Sequence, residues 1–104
     1  MSVGRTDSPE ARRRAIELLE ANHTFPGNIT VSVIAKNDDD VAARILAAAN
    51  AALGQPLPAA AHERHPSAHG KYVSHRLNVP CASAEAVLDL FARLRAVDGV
   101  ITVL

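Results

Sequence analysis

His69-Gly70-Lys71-Tyr72-Val73-Ser74-His75-Arg76-Leu77-Asn78-Val79-Pro80-Cys81 is the stretch on which the fold turns. After the Gly70 turn signal the chain alternates. Val73, Leu77, Val79 and Cys81 fall on one side, and Tyr72, Ser74, Arg76 and Asn78 on the other. Successive side chains of a strand point to opposite faces, so this spacing predicts a long strand with one buried and one wet face. A single wet face is the habit of antiparallel sheets. His75 interrupts the apolar side. It is expected to be a partly buried imidazole bonded to a neighbour, the alternative being a titrating switch.

Upstream, Asn28 to Lys36 repeats the pattern, with Ile29, Val31, Val33 and Ala35 on one face and Thr30, Ser32 and Lys36 on the other. Five of its nine residues are β-branched, which favours a strand. Asn37-Asp38-Asp39-Asp40 then places carboxylates at the positive end of a helix whose apolar stripe is Val41, Ile45, Ala48, Ala49 and Ala52. Gly54 stands where a C-terminal cap belongs, and Pro56 and Pro58 prevent continuation. The long strand needs a partner, and Ala61 to His65 is the expected one. It is polar enough to be an edge strand, and Pro66 to Gly70 forms the turn between the two.

Downstream, Ser83-Ala84-Glu85 caps a helix with Val87, Leu90, Phe91 and Leu94 on one face and Leu88 at its margin. Asp98-Gly99 turns the chain into an apolar strand, Val100 to Leu104. Before all this, Met1 to Asp7 has no periodicity, and Ser8-Pro9-Glu10 opens a helix with the stripe Ala15, Leu18, Leu19 and Asn22. His23 to Gly27 breaks that helix. The order β-α-β-β-α-β after an accessory helix predicts an α+β, ferredoxin-like sandwich: a four-stranded antiparallel sheet with two helices on one face. Residues 1–24 form the tail and accessory helix, and residues 25–104 the ferredoxin-like domain.

Composition bounds the function. The chain has 104 residues, enough for one domain, with 48% hydrophobic but only 3% aromatic residues, so its core is built from Ala, Val, Leu and Ile. Eleven basic and eleven acidic side chains cancel, so no basic surplus points to a nucleic acid or an anionic membrane. One Cys excludes an internal disulfide and a Cys-rich metal site. With no long apolar run and with Arg and Glu near the N-terminus, a cytoplasmic protein is expected.

Each candidate chemistry has a plainer reading beside it. Arg12-Arg13-Arg14 reads as a solvated helix face balanced by Glu10, Glu17 and Glu20 rather than an anion contact. The Asp38–Asp40 run reads as capping rather than a cation site. His62 and His65 would fall on opposite faces of a strand, so they and His69 are expected to be exposed edge and loop histidines, not metal ligands. Cys81 lies on the apolar side and reads as a small core residue. Neither a catalytic set nor a metal or cofactor site emerges. What remains is the wet face itself: Tyr72, Ser74 and Arg76 beside Thr30, Ser32 and Lys36, with Lys71 in the adjoining turn. Hydroxyls with Arg and Lys would take an anionic ligand or a second subunit, against the plainer reading of a hydrated surface. Base stacking would need more aromatics than Tyr72.

Phe25-Pro26 before the first strand, Pro66-Ser67 and Gly70-Lys71-Tyr72-Val73-Ser74 in the hairpin, and the ending Val100-Ile101-Thr102-Val103-Leu104 give a further lead. In this order and spacing, from about Leu18 to Leu104, the chain resembles the YbeD-like family of small bacterial proteins. The resemblance implies a ferredoxin-like fold similar to the amino-acid-binding ACT regulatory domains, and a link to lipoate regulation. The family's first strand usually carries a Lys and closes on a Gly, where Ser32 and Ala35 stand here. The family supplies no catalytic residues to carry over.

Together these readings predict a non-enzymatic regulatory or ligand-binding module, with Lys71, Tyr72, Ser74 and Arg76 as ligand-binding residues. An amino-acid-like ligand, a homodimer or a metabolic-enzyme partner would be its counterpart. The alternatives are an adaptor contacting an enzyme through the Arg-rich helix and, less favoured, an acylphosphatase-like enzyme using Arg76 and Asn78. That enzyme would also need an Arg-bearing phosphate loop, and Phe25 to Asn28 contains no Arg.

Overall fold

The computed structural model describes residues 8–104, so the expected tail at Met1 to Asp7 lies outside the described residues. In chain order the elements are α1 (Pro9–Asn22), β1 (Gly27–Lys36), α2 (Asp39–Leu53), β2 (His62–Pro66), β3 (Tyr72–Cys81), α3 (Ala84–Arg95) and β4 (Val100–Val103). A single 3-10 turn, Ala59–Ala61, leads into β2. The strands form one antiparallel sheet in the order β2-β3-β1-β4. With α2 and α3 packed on one face, this is the ferredoxin-like arrangement, preceded by α1.

The period-two pattern sets which face is buried. Ile29, Val31, Val33 and Ala35 of β1 are buried, as are Val73, His75, Leu77, Val79 and Cys81 of β3. Register pairs these two sets directly: Val31 faces Leu77, Val33 faces His75 and Ile29 faces Val79. Against them pack Val41, Ile45 and Ala49 of α2 and Val87, Leu90, Phe91 and Leu94 of α3. Leu88, placed by its spacing at the margin, is buried as well.

Helix α1 departs from its sequence pattern. Ala15 and Leu19 belong to the common core, but Leu18 is 41% exposed and Asn22 is exposed. The weak stripe is real only at its i, i+4 pair, because α1 lies along α3 and offers it a narrow seam.

Local polar chemistry ends the helices where the residue types predict. The Ser8 hydroxyl accepts from Ala11 N–H, and the Ser83 hydroxyl from Ala86 N–H. Gly54 closes α2 in the left-handed region at φ 73°. Asp38 Oδ1 accepts from Asp40 N–H at 2.7 Å and from Val41 N–H at 3.4 Å, so the Asp run begins with a cap. Asp38→Ala is expected to cost about 1 kcal/mol in urea unfolding. Asp39→Ala, which removes an exposed contact to Arg64 at 3.7 Å and one of two solvated first-turn carboxylates, is expected to stay within about 0.5 kcal/mol. Equal losses in the two variants would contradict the capping role.

Candidate functional site

Among the described residues no helix covers the second face of the sheet, and the strand registers dictate which side chains meet there. Across β1 and β3, Lys36 faces Tyr72, Ile34 faces Ser74, Ser32 faces Arg76 and Thr30 faces Asn78. From the edge strand β2, His65 falls opposite Ser74 and Glu63 opposite Arg76. Leu104 exchanges both backbone hydrogen bonds with Ser32, at 3.0 and 2.8 Å, and so extends the Arg76 row past β1.

Arg76 is therefore at the centre of the open face. It is exposed and has no hydrogen bond or ion pair among the described residues. Glu63 is its direct cross-strand neighbour, yet the Glu63 carboxylate lies 3.3 Å from His65 Nε2 instead. Both Glu63 and Arg76 line a hollow of about 270 Å³ with Thr30, Ala60, Ala61 and Asn78. One guanidinium, one carboxylate, a hydroxyl and a carboxamide thus border the same space. An exposed cross-strand ion pair between the two charges would be worth only about 0.2–1 kcal/mol, too little to keep out a ligand that engages both.

The residues singled out from the sequence do not all reach this hollow. Arg76 lines it, while Ser74 is one step along the same face, half-buried, between Ile34 and His65. Tyr72 is four residues from Arg76, roughly 13 Å along the strand. Lys71 precedes the strand, with its Nζ 5.9 Å from the centre of the Tyr72 ring. Near this end, Asn37 Nδ2 donates to Gly70 O at 2.7 Å and Asn37 N–H to Lys71 O at 3.2 Å, tying the hairpin turn to the end of β1. Glu63, Thr30 and Asn78 complete the hollow. Their alternation signals the face, but nothing local in the sequence says that Glu63 stands opposite Arg76.

The buried face holds a second polar feature. His75 is 1% exposed and is the single buried polar or charged residue among those described. Its Nδ1 is 2.9 Å from Nε2 of His62, and the rings stack with centroids 5.1 Å apart at 24°. His62 is thus half-buried against a partner, not the freely exposed edge histidine expected from its polar surroundings. The register explains the difference: His62 faces Leu77 and Arg64 faces His75, so both β2 side chains lie on the helix side of the sheet. His75 is bonded to a neighbour as its strand position predicts, but it is fully rather than partly buried.

His75 Nε2 is buried without a hydrogen-bond partner among the described residues. Orphaned buried N–H groups are rarer than orphaned acceptors, so the network assigns the proton to Nδ1, which donates to His62 Nε2. Burial, then His62 and the Arg64 guanidinium, hold His75 down to about 4. Burial and Arg64 also lower His62. Cys81 is buried at the far end of the strand, and burial pushes its thiol up, away from the nucleophilic thiolate.

Among the described residues no group of three or more His, Cys, Asp or Glu is placed to hold a metal ion, and no helix is long and apolar enough to cross a membrane. No curated protein matches the chain. No solved structure does either. A family model described as "Protein of unknown function (DUF493)" matches residues 20–104, from the last turn of α1 through the whole ferredoxin-like unit. That span takes in both the open face centred on Arg76 and the buried His62–His75 pair, and on it the chain belongs to the DUF493 family.

Proposed function

We propose that this chain is a non-enzymatic regulatory or ligand-binding module that takes a small amino-acid-like molecule on the open face of its sheet. The observation that carries the reading is Arg76, unpartnered among the described residues at the centre of that face and sharing a hollow with Glu63. A ligand carboxylate would accept from the guanidinium, and a ligand ammonium would approach Glu63. Thr30 and Asn78 would orient the remainder. A phosphate would meet Glu63 as a like charge, and a plain cation would meet Arg76.

The finer YbeD-like resemblance, with its lipoate link, bacterial origin and cytoplasmic setting, belongs to the same reading. So does a homodimer. The β4 edge is uncharged and leaves Ile101 55% and Leu104 56% exposed, whereas the β2 edge carries His, Glu and Arg and ends on Pro66. Natural edges are guarded by charges and Pro, so β4 is the edge suited to a second copy.

The test is the melting temperature of the protein against amino acids, lipoate and octanoate derivatives, and phosphorylated metabolites. A ligand that binds only the folded state adds about 2.7 kcal/mol at a hundredfold excess over its dissociation constant. An amino acid is expected to raise the midpoint, with the shift abolished in Arg76→Ala and reduced in Glu63→Gln. A stabilising shift that survives Arg76→Ala would remove the site. Absence of any shift would favour the adaptor reading, for which exposed Arg12, Arg13 and Arg14 on α1 are the contact. Turnover of an acyl phosphate, lost in Arg76→Ala, would instead favour the enzyme.

A further inference from the structure

At one end of the sandwich, where α2 stops, a cleft of about 400 Å³ opens between the helix C-terminus and the sheet. Its walls follow from local chemistry. Gly27 starts β1 with no side chain, because a Cβ there would stand 2.5 Å from Thr24 O. The position opposite Gly27 in register is Cys81, whose side chain is small. Bulk is therefore missing from this end of the sheet. On the helix side α2 ends at Leu53, and the chain after Gly54 is pinned by Asn50, whose Oδ1 accepts from Leu57 N–H at 2.9 Å. Both walls are held by hydrogen bonds, so the cleft exists before any ligand arrives.

The lining has a definite chemical character. Pro26, Leu53 and Cys81 contribute apolar surface, and no lining residue is ionisable except the Cys81 thiol, which burial keeps protonated. The polar side chains among the lining residues are two carboxamides, Asn28 and Gln55, and neither has a hydrogen-bond partner among the described residues. A carboxamide both donates and accepts. A charged ligand would lose hydration here with no counter-charge to meet it. A mostly apolar space of this size with a few polar groups is how small-molecule sites are built.

We propose that this end cleft binds a small uncharged molecule with an apolar body and a carboxamide or carbonyl edge. No residue lines both this cleft and the charged Arg76 hollow, although Asn28 and Pro80 stand next to Thr30 and Asn78 along the open face.

The test uses the full chain, labelled with ¹⁵N, and three probes of one shape: benzamide, benzoate and benzylamine. Benzamide is expected to shift the backbone amides of Gly27, Leu53, Gln55 and Ala82 in a saturable way, and to slow alkylation of Cys81 by N-ethylmaleimide. Benzoate and benzylamine are expected to bind at least about tenfold more weakly, because each would bring an unmatched charge. Ala82→Trp, at an exposed lining position, is expected to fill the cleft and abolish both effects with the fold retained. Gln55→Leu provides a second variant, weakening benzamide severalfold without touching the core. Lack of saturable shifts at these amides would overturn the proposal. So would benzoate binding as tightly as benzamide, or benzamide binding unchanged in both variants.

Discussion

Lowering the pH from 7 to 4 is expected to remove about 3 kcal/mol of stability through His75 alone. In the unfolded chain this histidine takes up a proton near its ordinary value of 6.5, but in the folded protein it does so only at about 4. Between those limits the unfolded state binds more protons than the folded one, so stability falls as the pH falls. The loss begins near pH 6.5 and is complete below 4. His62, also lowered, adds to it in the same direction.

The structural cause is explicit. A second proton would have to sit on the buried, partnerless Nε2, with the Arg64 guanidinium on the facing residue of β2. Asp39, 3.7 Å from Arg64, is almost fully exposed and offsets little of that charge. The measurement is urea unfolding at pH 7, 6, 5 and 4 for the wild type and for His75→Leu. The leucine variant is expected to lose the part of the acid slope that belongs to His75, read as the difference between the two profiles, in which groups common to both proteins largely cancel. At pH 7 it should be no less stable by more than about 1 kcal/mol, since the apolar side chain removes the unsatisfied Nε2, while His62, which loses its partner, is only half-buried and can turn to water. Parallel pH profiles would show that the pair does not control acid stability.

Replacing Gly99 by Ala is expected to cost about 2–4 kcal/mol, while the same change at Gly54 costs about 1 kcal/mol. Both glycines have positive φ, 98° and 73°. Both positions therefore carry a backbone penalty, the larger at Gly99, whose φ lies further from the left-handed helical region, and the two differ above all in space. A Cβ on Gly54 meets nothing within 4 Å, whereas on Gly99 it would stand 2.6 Å from Val41 Cγ2 and 3.1 Å from Cγ1. Val41 is a core residue in the first turn of α2, so it cannot yield without disturbing Ile45 and the seam with α3. The turn at Gly99 also delivers β4 to its register, since Lys36 N–H donates to Gly99 O at 3.0 Å. A double-mutant cycle with Val41→Ala isolates the steric part. The combined variant should lose less than the sum of the single losses by about 1 kcal/mol. Equal costs at Gly54 and Gly99 would rule out the close approach as the cause.

Much of the fold is legible in the residues because its signals are local. The alternation in Tyr72 to Cys81 and in Ile29 to Lys36 marks the buried face of each strand. Ser8, Asp38, Gly54 and Ser83 mark helix ends, since their side chains or backbone freedom act within a few residues. Where the pattern was thin it misled. Leu18 belongs to an i, i+3, i+4 set with Ala15 and Leu19, but α1 packs chiefly against α3 and leaves Leu18 in solvent.

The sites were less legible than the elements, and the reason is register. That Arg76 lies on a wet face follows from period two. That it stands opposite Glu63, thirteen positions away, depends on how β2 slides along β3, and the polar edge strand carries no hydrophobic pattern strong enough to fix that. The same pairing turned His62 toward His75 and made one bonded, buried pair from an apparent edge histidine and a break in an apolar stripe. The end cleft likewise exists because α2 stops over Gly27 and Cys81, residues brought together only by the sheet. By itself the sequence determined the elements, their order and their buried faces, because steric periodicity and capping operate within a turn or a strand. Tertiary structure alone decided which charges, imidazoles and gaps became neighbours, because strand register and helix placement are settled by packing between segments remote in the chain.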